Sequence, residues 1–307
     1  MRKTAVITGI AGFIGSNLAD ELVRRGYLVS GIDDLSVGKY ENIQRQVQKG
    51  EFEFFRGDIN NQVLLKDIFA GADYVFHDGA LNRMSKSIEN PVRTSTANIM
   101  GTLNVLVAAK DCKVKKVIHA SSSSVLGDTN IQPTTEELPF NPKSPYAVDK
   151  TSGELFCRVF QEIYGLQTVC LRYHSVYGKR QIGDNIHAAA IPKFLLCMQK
   201  NEQPEIYGDG NQTRDFTYVK DIVQACIIFA ENEATGVFNI SSGKAYTLNQ
   251  VVEVINKILG KDIRPTYSPV RAGDMLHNLA DISKARECGY KPRWDLEDGI
   301  RDILALP

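Results

Sequence analysis

Lys3-Thr4-Ala5-Val6-Ile7-Thr8 is a short β-branched run that leads directly into Gly9-Ile10-Ala11-Gly12-Phe13-Ile14-Gly15. An amphipathic segment follows up to Gly26, and a second apolar run, residues 28–32, ends at Asp33. This order of strand, glycine turn, helix, strand and acid is typical of a dinucleotide-binding unit. The beginning of the chain therefore predicts an α/β fold that holds a nucleotide cofactor.

The glycine turn and the acid have separate roles in such a unit. Glycines let the backbone approach a pyrophosphate, which then lies against the N-terminus of the helix. Asp33 would accept hydrogen bonds from the adenosine ribose and repel a 2′-phosphate, so NAD is predicted rather than NADP. The predicted contacts in the turn are Gly9, Gly12, Phe13, Ile14 and Gly15.

A second informative stretch lies near the middle of the chain. Ser144 is a candidate N-cap, and a helix is predicted from Pro145 to Tyr164, closed by Gly165. Tyr146 and Lys150 lie four residues apart on one face of this helix. The lysine cation and the helix N-terminus favour the phenolate, so we expect the pKa of Tyr146 to be lowered toward neutrality.

Strand and helix patterns alternate over the first half of the chain, which predicts a doubly wound parallel sheet, the Rossmann architecture. Beyond about Gly178 this alternation weakens. We expect an NAD-binding domain over residues 1–177 and a smaller, interleaved substrate-binding lobe over residues 178–307. The further predicted strands are 52–56, 74–76, 116–120 and 168–172, with a helix around 98–109 and a strand at 237–240 that returns to the first sheet.

Composition limits the functions that the chain can have. Its 307 residues carry 36 basic and 36 acidic side chains without a basic block, so we expect no nucleic-acid partner. No apolar run is long enough to cross a bilayer, and no apolar leader precedes the first strand, so no membrane association is expected. Six cysteines stand singly without metal-ligand spacing, which predicts no metal site and a reducing, cytoplasmic location.

Together these motifs resemble the NAD-dependent nucleotide-sugar epimerase/dehydratase family of extended short-chain dehydrogenases/reductases, and within it the UDP-glucose/UDP-galactose 4-epimerases. The resemblance covers essentially the whole chain. Besides the glycine turn and Tyr146…Lys150, it is carried by Asp58-Ile59, His77-Asp78-Gly79-Ala80, residues 121–127, residues 172–178 and Arg214-Asp215-Phe216.

The resemblance implies a catalytic set of Tyr146, Lys150 and Ser122. Tyr146 would take the proton from a sugar 4-hydroxyl while the cofactor oxidises C4, and Ser122 would hydrogen-bond the same oxygen. Ser123 is a candidate substrate contact, and Lys150 would also bond the nicotinamide ribose. The other implied cofactor contacts are Asp58, Ile59, Ala80 and Asn98.

The same family pattern indicates the type of reaction. Dehydratases of the family carry an Asp-Glu pair directly after the catalytic hydroxyl, where this chain has Ser123 and Ser124. Without an additional acid and base, reversible oxidation at C4 is favoured over elimination. Glucuronate-specific members usually have an arginine where this chain has Ser85, although Arg83 and Lys86 leave a UDP-glucuronate 4-epimerase open. The sequence also leaves open a net dehydrogenase or reductase and a cofactor-binding regulator with an inactive site.

The implied nucleotide site takes a uridine diphosphate. Its predicted contacts are Glu205, Tyr207, Arg214, Arg271 and Asp274. Ser175 stands where the family commonly has an asparagine that contacts the substrate, and Asn185 is a candidate substitute. Its neighbour His174 is expected to be packed or hydrogen-bonded rather than catalytic. Asn278 matches a position beside the sugar C2 substituent, where its amide can either block an N-acetyl group or hydrogen-bond it.

The predicted activity is therefore UDP-glucose/UDP-galactose interconversion, with the N-acetylated pair as a second substrate. A homodimer is also expected, because the helices around 98–109 and 149–164 resemble those that pair across the family's two-fold axis. Five apolar residues of these helices can serve either that interface or the internal core: Leu103, Leu106, Val107, Phe156 and Phe160.

Overall fold

A single parallel sheet of seven strands organises the chain. The computed structural model describes residues 2–82, 84–181, 189–270 and 277–305. The strands of the chain are β1 (Thr4–Thr8), β2 (Leu28–Asp33), β3 (Glu53–Arg56), β4 (Tyr74–His77), β5 (Lys116–Ser122), β6 (Gln167–Tyr173), β7 (Val176–Tyr177), β8 (Glu205–Tyr207), β9 (Thr213–Asp215), β10 (Thr217–Tyr218), β11 (Gly236–Ile240), β12 (Ala245–Thr247) and β13 (Thr266–Ser268). The large sheet has the order β11-β6-β5-β4-β1-β2-β3.

Helices connect these strands. They are α1 (Phe13–Arg24), α2 (Gln44–Gln48), α3 (Gln62–Phe69), α4 (Met84–Glu89), α5 (Pro91–Ser95), α6 (Gly101–Asp111), α7 (Pro145–Tyr164), α8 (Ala190–Gln199), α9 (Val219–Glu231), α10 (Leu248–Leu259), α11 (Ser283–Glu287) and α12 (Leu296–Leu304). A π-helical segment, Thr96–Met100, joins α5 to α6. Short 3₁₀ segments lie at Tyr40–Asn42 and Ser123–Leu126.

The central strands are buried on both faces because helices cover both sides of the sheet. Ala5, Val6 and Ile7 of β1 are all fully buried, as expected for a strand inside a parallel sheet. One face packs against α1 and α9, and the other against α3, α6 and α7. The predicted doubly wound α/β architecture is therefore confirmed.

The chain leaves this sheet after β6 and returns to it once. β11 pairs in parallel with β6, so residues 236–240 form the outer strand of the sheet although they follow helices α8 and α9. Three two-stranded sheets lie between and after these elements: β7 with β10, β8 with β13 and β9 with β12. A separate apolar core, built largely on α8, α10 and α12, supports them. The division of the chain into domains at residue 177 stays a prediction.

The order of the strands locates the cofactor crevice. β1 lies between β2 and β4. The sheet continues from β1 through β2 and β3 on one side, and through β4, β5, β6 and β11 on the other. In open α/β sheets, ligands bind at the carboxyl ends of the strands where the order reverses. In the described part of the chain, none of the helices combines the length and apolar character that crossing a bilayer requires.

Candidate active site

A cavity of about 580 Å³ opens at the carboxyl ends of the central strands. It brings together residues that are far apart in the sequence, from the glycine turn after β1 to the first residues of α7. The predicted site residues in its wall are Gly9, Gly12, Phe13, Ile14, Gly15, Asp33, Asp58, Ile59, Ala80, Tyr146 and Lys150.

The glycine turn forms a cradle with no room for side chains. Gly9 has a φ of +73°, and a Cβ atom there would lie 2.8 Å from Cα of Gly79. A Cβ on Gly15 would lie 2.3 Å from the carbonyl oxygen of Gly9. Side chains therefore do not cover the backbone at the N-terminus of α1. The N–H groups and the helix dipole there favour an anion such as a pyrophosphate.

Asp33 ends β2 and is nearly buried in the cavity wall. Its Oδ2 accepts a hydrogen bond from the backbone N–H of Ala11 at 3.0 Å, and its Oδ1 accepts one from Leu35 at 2.8 Å. Burial raises the pKa of Asp33, and these two backbone hydrogen bonds oppose that rise. Each carboxylate oxygen can accept a further hydrogen bond, which suits the ribose contact predicted for this residue.

Tyr146, Lys150 and Ser122 meet where α7 begins beside the end of β5. Ser144 caps α7 by accepting a hydrogen bond from the N–H of Ala147, which fixes the first turn and the direction of Tyr146. Tyr146 shares a hydrogen bond with Ser122. Nζ of Lys150 donates to the carbonyl oxygen of Ala120 at 2.7 Å and lies 6.0 Å from the centroid of the Tyr146 ring.

The expected lowering of the tyrosine pKa is wrong for this structure. Burial raises the pKa of Tyr146 to about 12, and the hydrogen bond with Ser122 offsets only part of that rise. Burial also lowers the pKa of Lys150 to about 8, so the lysine is a weaker cation than the sequence implied. The argument from helix position omitted desolvation, which disfavours both charged forms.

Asn98 lies behind the cavity wall. Its Oδ1 accepts from the N–H of Leu81 at 2.8 Å, and its Nδ2 donates to the carbonyl of Leu81 and to Asp149. Asp149 also accepts from Ser95, so it joins the π-helical segment to α7. Sequence reasoning did not single out Asp149, although it lies between Tyr146 and Lys150. Direct contact of Asn98 with the cofactor stays a prediction.

The serine run has a mixed structure. Ser121 is buried and donates to Glu154 at 2.5 Å, and Glu154 forms a buried ion pair with Arg172. Ser122 caps the 3₁₀ segment by accepting from the N–H of Ser124 at 3.2 Å. Ser123 begins that segment, beside the catalytic set, and neither it nor Ser124 supplies a carboxylate.

A second cavity of about 300 Å³ shares Ala189 with the first one. Its wall contains the predicted substrate residues Ser175, Glu205, Tyr207 and Arg214. Glu205 accepts from the Tyr207 hydroxyl at 2.7 Å and from Lys193 at 3.3 Å, and the Tyr207 hydrogen bond is the main cause of the lowered pKa of Glu205. Lys193 lies on α8, which forms part of the wall of this cavity. The sequence did not predict its role because nothing local to it indicates that α8 packs there.

Ser175 lies at the turn between β6 and β7 with a φ of +32°. Among residues with a side chain, asparagine and aspartate tolerate such positive φ values best, so the turn would also accept the asparagine that the family resemblance leads one to expect here. The serine keeps the turn, but its shorter side chain places the hydroxyl nearer the backbone.

His174 and Asn278 form one buried network. Nδ1 of His174 lies 3.1 Å from Oδ1 of Asn278, and its Nε2 lies 3.4 Å from Oδ1 of Asn239. His174 is therefore hydrogen-bonded and packed, as expected. Asn278 is 6% exposed and joins residues 104 positions apart in the sequence. Its contact with a sugar C2 substituent stays a prediction, as do the assignments of Arg83, Asn185, Arg271 and Asp274, which lie outside the described residues.

Comparison with known proteins places this site in a family. Residues 6–303 match the family model described as GDP-mannose 4,6 dehydratase. A putative UDP-glucose 4-epimerase of Methanocaldococcus jannaschii is 36% identical over 301 residues, which cover 97% of this chain and 96% of that protein.

Two solved structures are similar over nearly the whole chain. A UDP-N-acetylglucosamine 4-epimerase from Methanobrevibacter ruminantium, in complex with UDP-N-acetylmuramic acid, has a TM-score of 0.94 and 40% identity, covering 99% of this chain and 98% of that one. A UDP-glucuronic acid 4-epimerase from Bacillus cereus, in complex with UDP-glucuronic acid and NAD, has a TM-score of 0.88 and 34% identity, covering 97% of each chain. The chain therefore belongs to the NAD-dependent nucleotide-sugar epimerase/dehydratase family of extended short-chain dehydrogenases/reductases.

Proposed function

We propose that the protein is an NAD-dependent UDP-hexose 4-epimerase that interconverts UDP-glucose and UDP-galactose. We propose the N-acetylated pair, UDP-N-acetylglucosamine and UDP-N-acetylgalactosamine, as its second substrate. The observation that carries the proposal is that Tyr146 and Lys150 line one cavity with the glycine cradle, and that Tyr146 is hydrogen-bonded to Ser122. The 4-epimerases among its relatives support the same reaction.

The cavity suits the cofactor for reasons of shape and charge. The bare backbone at Gly9 and Gly15 would hold the pyrophosphate, and Asp33 would accept from the adenosine ribose. When bound, NAD supplies the acceptor that takes a hydride from sugar C4 and returns it to either face, and its oxidised ring carries a positive charge. The burial of Asp33 makes a 2′-phosphate beside it unfavourable, so NADP is expected to bind poorly.

The side chains of the protein move the proton and position the sugar. Tyr146 would take the proton of the 4-hydroxyl and return it after the carbonyl is reduced, and Ser122 would hold the same oxygen. With Lys150 in place, the pKa of Tyr146 is still about 12, so the phenol is protonated at neutral pH. A further positive charge, such as that of the oxidised nicotinamide ring when NAD is bound, would favour release of its proton.

Two observations argue against other reactions of the family. Ser123 and Ser124 leave no carboxylate for elimination of water next to Ser122. Lys86, a candidate for binding a uronate, is 57% exposed and is paired with Glu89 at 2.7 Å. A UDP-glucuronate 4-epimerase is therefore the alternative to the proposed function, and it is supported by the relatives that act on UDP-glucuronate.

The experiment that tests the function starts from the purified protein without added cofactor. We expect an absorbance spectrum that reveals bound NAD(H), extraction of NAD rather than NADP, and conversion of UDP-galactose to UDP-glucose in a coupled assay. Stoichiometric release of NADH would instead identify a net dehydrogenase. Turnover of UDP-glucuronate but not of UDP-galactose would identify a UDP-glucuronate 4-epimerase.

Substrate breadth is tested at Asn278. We expect Asn278→Ser to raise the turnover of UDP-N-acetylgalactosamine relative to UDP-galactose, because a smaller side chain leaves more room for an acetamido group. Asn278→Tyr is expected to lower this ratio. The comparison uses the ratio of kcat/KM values for the two substrates, so that a general loss of activity cancels. If the ratio is unchanged in both variants, the C2 substituent is not selected at this position.

We also propose that the protein is a homodimer that pairs through α7. Leu106 and Phe160 are buried in the core of one chain, so their side chains are not accessible to a second copy. Leu155, Val159 and Ile163 instead form an exposed apolar stripe on α7, with exposures of 38, 37 and 68%. Their spacing of four residues places them on one face of the helix, which suits a second copy across a two-fold axis.

Light scattering at micromolar concentration is expected to give the mass of two chains for the wild type. Replacing Val159 with glutamate introduces a charge into the proposed apolar interface and should give a monomer. Val63→Glu, at a 72% exposed position on α3, is the matched control and should remain dimeric. A monomeric wild type, or a dimeric Val159→Glu protein, contradicts the proposal.

A further inference from the structure

Two consecutive residues in the wall of the cofactor cavity each have a buried polar atom without a hydrogen-bond partner among the described residues. They are Arg180 and Gln181, which lie shortly after β7 and line the same cavity as the glycine turn. The unpartnered atoms are Nη1 of Arg180, a donor, and Oε1 of Gln181, an acceptor, while Nε2 of Gln181 donates to the carbonyl oxygen of Val176 at 2.9 Å. Folded proteins rarely leave buried polar atoms unpaired, so a partner for them should be sought among the groups that enter the cavity.

The segment that carries Arg180 is held against the first turns of α1. Nη2 of Arg180 donates to Oδ2 of Asp20 at 2.6 Å, and Nδ2 of Asn17 donates to the carbonyl oxygen of Lys179 at 3.1 Å. Arg180 also has a φ of +71°, a value that residues with a side chain adopt rarely and that is found preferentially at functional sites. The guanidinium is therefore positioned by contacts within the protein.

The charge of Arg180 indicates which part of the cofactor it can bind. NAD carries its negative charge on the pyrophosphate, which would lie at the glycine turn where α1 begins. In the described part of the chain, the cations that line the cavity are Arg93, Lys150 and Arg180. Nζ of Lys150 is held by the carbonyl oxygen of Ala120, next to Tyr146, and Arg93 lies on α5, which packs against α7. Arg180 is therefore the cation that contacts α1.

We propose that Arg180 is a cofactor-binding residue whose guanidinium donates hydrogen bonds to the pyrophosphate of NAD at the start of α1. A guanidinium has several N–H donors in one plane and suits phosphate oxygens, and Asp20 occupies only part of them. The inference rests on NAD as the cofactor of the proposed function, and it does not depend on which UDP-sugar the enzyme converts.

The ion pair with Asp20 allows a purely structural alternative, in which Arg180 only fastens residues 178–181 to α1. The side chains of Arg180 and Asp20 are 26% and 37% exposed. Ion pairs with this much contact to water contribute little to stability, so the pair by itself is a weak reason for holding an arginine at a positive φ. It also leaves Nη1 without a partner.

The test compares the affinity of Arg180→Met and wild type for NAD. Loss of a charge-assisted hydrogen bond to phosphate should weaken binding by about 10- to 100-fold. The affinity is measured by isothermal titration of protein freed of its cofactor, and the fraction of chains that keep NAD(H) through gel filtration is a second readout. Arg24→Met, at an exposed arginine paired with Glu21 on α1, is the matched control and should bind NAD like the wild type.

Two further variants distinguish charge from packing. Arg180→Lys keeps a positive charge without the planar fork, so it should retain part of the affinity for NAD. Arg180→Gln removes the charge but keeps a hydrogen-bonding group, and it should bind NAD as weakly as Arg180→Met. Circular dichroism of the protein without cofactor identifies any variant that fails to fold, and the remaining ones then decide the comparison. Wild-type affinity in a folded Arg180→Met or Arg180→Gln protein would overturn the proposal.

Fragments of the cofactor locate the contact. ADP-ribose contains the pyrophosphate and adenosine does not. Arg180→Met should therefore weaken ADP-ribose binding by the same factor as NAD binding and leave the affinity for adenosine unchanged. If adenosine binding falls equally, or if only the binding of NADP falls, the guanidinium lies at another part of the cofactor and the proposal is wrong.

Asp20→Asn separates binding from the structural alternative, because it removes the ion pair and leaves the charge of Arg180. Its affinity for NAD should equal or exceed that of the wild type, since no carboxylate then competes with the phosphates for the guanidinium. If Asp20→Asn loses as much affinity as Arg180→Met, Arg180 acts only by holding the segment, and the proposal is overturned. A protein whose NAD affinity depends on Arg180 but which does not convert UDP-galactose would support this inference and count against the proposed function.

Discussion

Tyr146→Phe is expected to lower kcat for UDP-galactose by about 10²–10⁴-fold, the usual contribution of a general acid–base group. The substitution removes only the hydroxyl that shares a hydrogen bond with Ser122. The ring and its packing remain, so the fold, the bound NAD and the affinity for UDP should be close to those of wild type. The measurement is single-turnover and steady-state epimerisation, together with the absorbance of the bound cofactor.

Tyr164→Phe is the matched control for this prediction. It removes the same atom from the same helix, at a position that is 54% exposed and packs its ring against Phe160. Its rate should equal that of wild type. A Tyr146→Phe enzyme with the wild-type rate would rule out the proposed mechanism, because no other hydroxyl of the described cavity lies both at the start of α7 and beside Ser122.

The parts of the fold that were predictable are those encoded by local sequence. The glycine turn from Gly9 to Gly15 requires a conformation and a close approach that other residues cannot provide, so its pattern is specific. The cap at Ser144 and the closure at Gly165 are also local, and both lie where the sequence placed them. The sequence pattern located the seven strands of the large sheet to within one or two residues, as is usual for element ends, but it did not predict the six short strands of the two-stranded sheets.

The parts that were not predictable depend on contacts between distant segments. The pKa of Tyr146 is governed mainly by burial, which its position on the helix does not reveal. Asn98 matched a family pattern, yet its amide bonds to Leu81 and Asp149 were not visible in the sequence. Leu106 and Phe160 are apolar, and an apolar residue suits either the core or an interface. Only their burial in the structure shows that they belong to the core.

Asp78 lies next to the glycine cradle in the structure. A Cβ atom on Gly9 would meet the backbone of Gly79 at 2.8 Å and the carbonyl carbon of Asp78 at 3.1 Å. The tight turn after β1 therefore packs directly against the segment that follows β4, where Asp78 lines the cavity. A change in the turn should displace both the pyrophosphate site and this carboxylate.

Gly9→Ala is accordingly expected to abolish copurification of NAD and, with it, nearly all activity. The added methyl group clashes with backbone atoms, which cannot rotate away, and overpacking of this kind costs about 1–3 kcal/mol. The φ of +73° adds a strain of about 1–2 kcal/mol for any residue with a Cβ. Gly26→Ala isolates the second effect, because Gly26 has a φ of +82° but no atom within 4 Å of the added carbon. We expect Gly26→Ala to lose thermal stability but keep its cofactor, whereas Gly9→Ala should lose the cofactor even where circular dichroism shows a folded chain. Equal NAD content in the two variants would mean that the cofactor does not lie against this turn.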